Sequence, residues 1–156
     1  MSGVDPARVQ ALRRRLERFR GYFLNPDAET TDALLESLLV NEDRYGYPFC
    51  PCRLATGDYP QDADAVCPCD VRDEDVYDHG TCYCGLYVSR EVSMGRQEIG
   101  SIPERRGTPG GAKPLWRCNV CGYICARPKP PDVCPICGVT RDRFEPAKRF
   151  MFREFY

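Results

Sequence analysis

Eleven cysteines occupy a chain of 156 residues, and their spacing constrains the fold more than any other feature. Ten of them form five tight pairs: Cys50-Pro51-Cys52, Cys67-Pro68-Cys69, Cys82-Tyr83-Cys84, and then Cys118-x2-Cys121 and Cys134-x2-Cys137. A disulfide inside such a pair closes a very small, strained ring, whereas metal sites use this spacing routinely. The count is odd, and the opening run MSGVDPARVQALRRRLERFR lacks the apolar core of an export signal. Metal or redox chemistry is therefore expected in place of structural disulfides.

The last two pairs are twelve residues apart. Each C-x2-C turn aims two thiolates at one point while its amides face the sulfurs, and two such turns complete a tetrahedral site. Cys118, Cys121, Cys134 and Cys137 are thus the expected ligands of one metal. Zinc and iron both accept four sulfurs. A segment of about forty residues seldom folds without a staple of this kind. Cys125 stands outside the pattern and is expected to be a spectator thiol.

The first three pairs pose a different problem. Neighbours two apart share a face when extended but diverge in a tight loop, so one sulfur of a pair can ligate while the other points elsewhere. A [4Fe–4S] cluster takes four cysteines, and six leave two thiols. Two thiols held beside an electron carrier are what a disulfide-reducing site requires. Counting does not assign the roles.

The run YGYPFCPCRLA, CPCD and CYCGLY resembles the catalytic subunit of ferredoxin–thioredoxin reductase, whose signature is CPC, CPC, CHC; the likeness spans roughly residues 5–90. It implies that Cys50, Cys67, Cys69 and Cys82 hold a [4Fe–4S] cluster. It also implies that Cys52 and Cys84 form a redox disulfide, Cys52 attacking the target and Cys84 lying against the cluster. The implied donor is ferredoxin and the implied substrate thioredoxin or a similar redoxin; plant-type members also have a companion subunit. Passing two electrons from a ferredoxin near about −400 mV to a thioredoxin near about −270 mV is downhill by about 6 kcal/mol. The sequence departs from the plant-type pattern in its pair spacings and in Tyr83, which stands where that motif has the histidine expected to move protons. Tyr83 itself and His79, the one histidine in the chain, are the candidate substitutes.

Trp116, the Cys118 knuckle with Tyr123, CPIC followed by Gly138, and Phe144 resemble rubredoxin, particularly the rubredoxin-like domain of rubrerythrins. That implies one iron cycling between ferrous and ferric states, expected to exchange electrons with the cluster; a redox-silent zinc ribbon is the alternative. For the whole chain the alternatives are a zinc-binding structural or interaction protein, and an electron carrier without disulfide chemistry.

Around these motifs the organisation is simple. Asp5-Pro6 starts a helix, with Val9, Leu12, Leu16, Phe19 and Phe23 on one face; Gly21 and Asn25-Pro26 end or bend it. Thr31 is expected to cap a second helix carrying Leu34, Leu35, Leu38 and Leu39. Cys50 to Gly85 reads as loop, with two arginines against eight acidic residues between 53 and 85; residues 86–156 reverse the balance, thirteen basic against seven acidic. The expected fold class is a mainly α iron–sulfur domain with Cys-rich loops (1–94) and a small metal-stapled β domain, rubredoxin-like, with an aromatic and basic tail (115–156). Between them, residues 95–114 carry five glycines and three prolines and read as a linker. A net charge of −1 argues against nucleic-acid binding, and no apolar run is long enough to span a membrane. A cytoplasmic location is expected.

Overall fold

The computed structural model describes residues 3–17, 23–107 and 111–147. The expectations placed on Phe19, on Gly21 and on the tail residues Phe150, Phe152, Phe155 and Tyr156 lie outside the described residues. Helix α1 (Pro6–Leu16) starts as its sequence dictates: the Asp5 side chain accepts from the Ala7 amide at 2.8 Å, and proline occupies the first turn, where no amide is missed. Val9, Leu12 and Leu16 are buried, whereas Phe23 is not on that face. It opens a two-residue strand, β1 (Phe23–Leu24), and is 44% exposed.

Helix α2 (Ala28–Tyr45) begins three residues before the expected cap. Asp27 accepts from the amides of Glu29 and Thr30, so Thr31 lies inside the first turn, where its hydroxyl donates to the Asn25 carbonyl at 2.7 Å. The helix closes on Gly46 in the left-handed region (φ 86°), which a residue with a Cβ seldom adopts. Buried Leu35, Leu38 and Leu39 pack with the apolar face of α1 over Cys67, Cys82, Leu86 and Tyr87. The hydrophobic core of the front domain therefore includes cysteines, and the two helices act as a lid on the cysteine loops.

The stretch read as loop contains helices. A one-turn α3 (Tyr59–Asp62) runs into a 3-10 turn at Ala63–Ala65, and α4 (Arg72–His79) spans the interval between the second and third pairs. Its first turn holds Asp73, Glu74 and Asp75, where carboxylates favour the positive end of the helix dipole, and Gly80 (φ 79°) ends it. Strand β2 (Tyr87–Val88) pairs antiparallel with β1, and a short α5 (Arg90–Ser93) follows, capped by Ser89.

The C-terminal module is a three-stranded antiparallel sheet in the order β4–β3–β5, formed by β3 (Leu115–Cys118), β4 (Ile124–Ala126) and β5 (Phe144–Ala147). Trp116 lies opposite Cys125 and Pro146 in the register, and its indole donates to the Arg127 carbonyl at 3.0 Å. Among the described residues no helix is long and apolar enough to cross a membrane.

Candidate redox centre

The C-terminal site is two copies of one local structure. In the first knuckle the Cys118 amide donates to the Tyr123 carbonyl at 2.8 Å and the Gly122 amide to the Cys118 carbonyl at 3.0 Å. In the second the Cys134 amide donates to Val139 at 2.8 Å and the Gly138 amide to Cys134 at 3.0 Å. Gly122 and Gly138 follow the last cysteine of each pair with φ of 83° and 79°, the turn that brings both sulfurs to one side. Burial pushes the Cys118 thiol up, but the amides of Cys121 and Val120 and the neighbouring thiols hold it down at about 7. The sulfur–sulfur distances Cys118–Cys137 and Cys121–Cys134 are both 3.7 Å. A tetrahedral ion with bonds of about 2.3 Å sets its ligand sulfurs about 3.8 Å apart. The four sulfurs all lie within 4.8 Å of one another, so the chain's own geometry fits a single mononuclear ion, iron or zinc.

In the front domain Cys50, Cys67, Cys69, Cys82 and Cys84 line one cavity, walled also by Tyr83. Among the described residues these cysteines do not gather within the single-ion distance that the C-terminal four satisfy. A [4Fe–4S] group takes four cysteine sulfurs, and Cys50, Cys67, Cys69 and Cys82 around this cavity would supply that donor set. Cys67 and Cys69 are enclosed, and burial pushes both thiols up, Cys69 to about 12. Cys82 accepts the Tyr87 amide at 3.3 Å.

Cys84 lies where the pairs meet. Its sulfur is 3.7 Å from that of Cys82 and also contacts the thiols of Cys50 and Cys52, which raises its own pKa well above the ordinary thiol value. Cys52 is exposed, and contact with Cys84 holds its thiol at about 7 against the opposing effect of burial, with Arg53 adding a smaller pull. The fold thus brings the exposed Cys52 thiol, the half-buried Cys84 thiol and two of the expected cluster ligands, Cys50 and Cys82, together. Of the two expected proton carriers, Tyr83 lines the cavity. His79 does not; it sits at the end of α4 with its Nε2 3.4 Å from the Arg105 guanidinium.

Comparison with known families resolves the two modules. Residues 7–103 match the family model described as ferredoxin thioredoxin reductase catalytic beta chain. The chain belongs to that family. Residues 116–145 match the rubrerythrin, rubredoxin-like domain. No curated protein matches the chain. Membership gives this ferredoxin thioredoxin reductase relative an iron–sulfur redox role, with the C-terminal four-cysteine site carrying iron or zinc.

Reading cysteines alone missed the basic residues of this reductase-family module. Arg53 donates to the Cys50 sulfur at 3.3 Å, stands over the Tyr83 ring at 4.6 Å and is almost wholly buried. Arg72 lies over the Tyr87 ring at 5.0 Å and donates to the Ile124 carbonyl of the second module. The only signal in the sequence is position: Arg53 directly follows the first pair, and Arg72 comes three residues after the second.

Proposed function

We propose that the chain is an iron–sulfur disulfide reductase that takes single electrons from ferredoxin and reduces the disulfide of thioredoxin or a similar redoxin. The observation that carries this reading is the placement of Cys84, its sulfur 3.7 Å from that of Cys82 and its thiol interacting with those of Cys50 and exposed Cys52. In this reading Cys50, Cys67, Cys69 and Cys82 hold a [4Fe–4S] cluster, which supplies electrons one at a time to the adjoining sulfur pair. The Cys52 thiolate attacks the target disulfide, forming a mixed disulfide and expelling one target thiolate. The Cys84 sulfur then attacks that of Cys52, releasing the second target thiolate and closing a Cys52–Cys84 disulfide. Two electrons and two protons reopen it, so one target disulfide is reduced per pair of electrons delivered. Tyr83 is the proton carrier this arrangement favours over His79.

The second module contributes a mononuclear iron that exchanges electrons with the front domain. What supports this is the direct seam between modules: Arg72 spans from the Tyr87 ring to the Ile124 carbonyl, and the Tyr87 amide rests on the Cys82 sulfur. Cys52→Ser in the full chain tests the central step. It abolishes ferredoxin-driven disulfide reduction while the visible spectrum of the cluster persists. Undiminished reduction by that variant would show that the chain carries electrons without disulfide chemistry of its own.

A further inference from the structure

The segment from 95 to 107 contains few large apolar residues, yet three successive charged side chains bind it to the front domain. Arg105 reaches buried Asp75 at 2.8 Å and Asp78 at 2.7 Å. Arg106 forks onto Asp64 at 2.8 and 2.9 Å and donates to the Gln61 carbonyl at 3.0 Å. Between these anchors and Pro103, Glu104 stays partly exposed and reaches Arg53. Its two carboxylate oxygens take Nε and Nη2 of Arg53 at 2.7 and 2.8 Å, and one of them also accepts the Arg106 amide at 2.9 Å.

Arg53 has no freedom left in this arrangement. One nitrogen donates to Cys50, its plane covers Tyr83, and the remaining fork is occupied by Glu104. The guanidinium's rigid fork matches a carboxylate in two places at once, which fixes its orientation and not merely its position.

We propose that Glu104 is a positioning residue that holds the Arg53 guanidinium against the Cys50 sulfur and so raises the reduction potential of the group that sulfur binds. The inference rests on the reading of Cys50 as a cluster ligand. A cation and an N–H donor beside ligand sulfurs favour the more negative, reduced state, and net charge with hydrogen bonds to sulfur is a main determinant of cluster potentials. Glu104 acts through Arg53 and touches no ligand itself. Glu104 lies one position beyond the matched segment.

The sign of one shift decides the matter. Removing a negative charge near the cluster without moving Arg53 raises the potential; releasing Arg53 lowers it. EPR-monitored redox titration of the full chain, following the cluster signal apart from that of the C-terminal iron, is expected to give a downward shift for Glu104→Gln. Arg53→Gln shifts at least as far down, and adding Glu104→Gln to it produces no further change. Glu104→Asp, which keeps the charge but shortens the reach, also shifts downward and decides the question should the other variants not hold iron. An upward or null shift in Glu104→Gln, or the same shift with and without Arg53, overturns the proposal. A wild-type chain without acid-labile sulfide overturns the cluster reading itself, a failure distinct from an unmoved potential.

Discussion

Asp62 anchors the loop that follows Cys52. Fully buried, it accepts the amides of Thr56 at 3.0 Å and Gly57 at 3.1 Å, and the hydroxyls of Thr56 at 2.8 Å and Tyr47 at 2.7 Å. Burial disfavours its charge, but the donors outweigh that and hold its pKa below the usual carboxylate range. A carboxylate with a depressed folded pKa binds fewer protons folded than unfolded. Its contribution is complete above the unfolded pKa, about 4, and is lost as pH falls through the folded value. Asp62→Asn turns an acceptor of four donors into a group with a donor of its own, and should cost about 2–3 kcal/mol at neutral pH. Urea denaturation at pH 7 and at pH 3 checks this: the gap between the two proteins narrows at the lower pH, and an equal gap at both would contradict it. At this scale the four C-terminal cysteines were legible from spacing because metal chemistry dictates spacing. Asp62, Arg53 and Glu104 were not, because their partners lie 6, 3 and 51 residues away and single charged residues carry no period.

Elements were legible where a face or a cap repeats a rule. The apolar steps of α1 and its Asp5-Pro6 start follow local chemistry, and so do both knuckles of the C-terminal module. Helix α4 escaped because its eight residues are mostly charged and offer little apolar periodicity, so what marks it is the acidic first turn and Gly80. Asp27, rather than Thr31, caps α2 because an aspartate two and three residues before free amides competes better for them. The glycines test this level. At Gly138 an added Cβ meets no atom within 4 Å, so Gly138→Ala costs only the left-handed strain, about 1–2 kcal/mol. At Gly80 the same φ is combined with Val92 Cγ2 at 2.9 Å and Gln97 Nε2 at 2.8 Å, so Gly80→Ala destabilises more. Thermal denaturation of the two metal-loaded variants is expected to place Gly80→Ala below Gly138→Ala, and the reverse order would refute the assignment.

Across the whole molecule, the opposite charges of the two halves meet at named contacts. Glu74 reaches the Lys113 ammonium at 3.6 Å and Asp73 the Arg127 guanidinium at 3.9 Å, while neutral donors add to them: Asp70 accepts the Lys113 amide at 2.7 Å and Asp73 the Tyr123 hydroxyl. The composition showed the asymmetry but not its purpose, since surface charge is usually solvated and such pairs depend on how the chain folds back. Here they seat the rubredoxin-like module on α4, the helix between the second and third cysteine pairs. Residues 104–106 are likewise tied down by charge in place of apolar burial. The proposed function divides the front sulfurs into four that would hold a cluster and two that would exchange a bond. Iron and acid-labile sulfide analysis of the anaerobically purified full chain tests that division most directly. The account predicts about five irons and four sulfides per chain; zinc at both sites, with no sulfide, would contradict it.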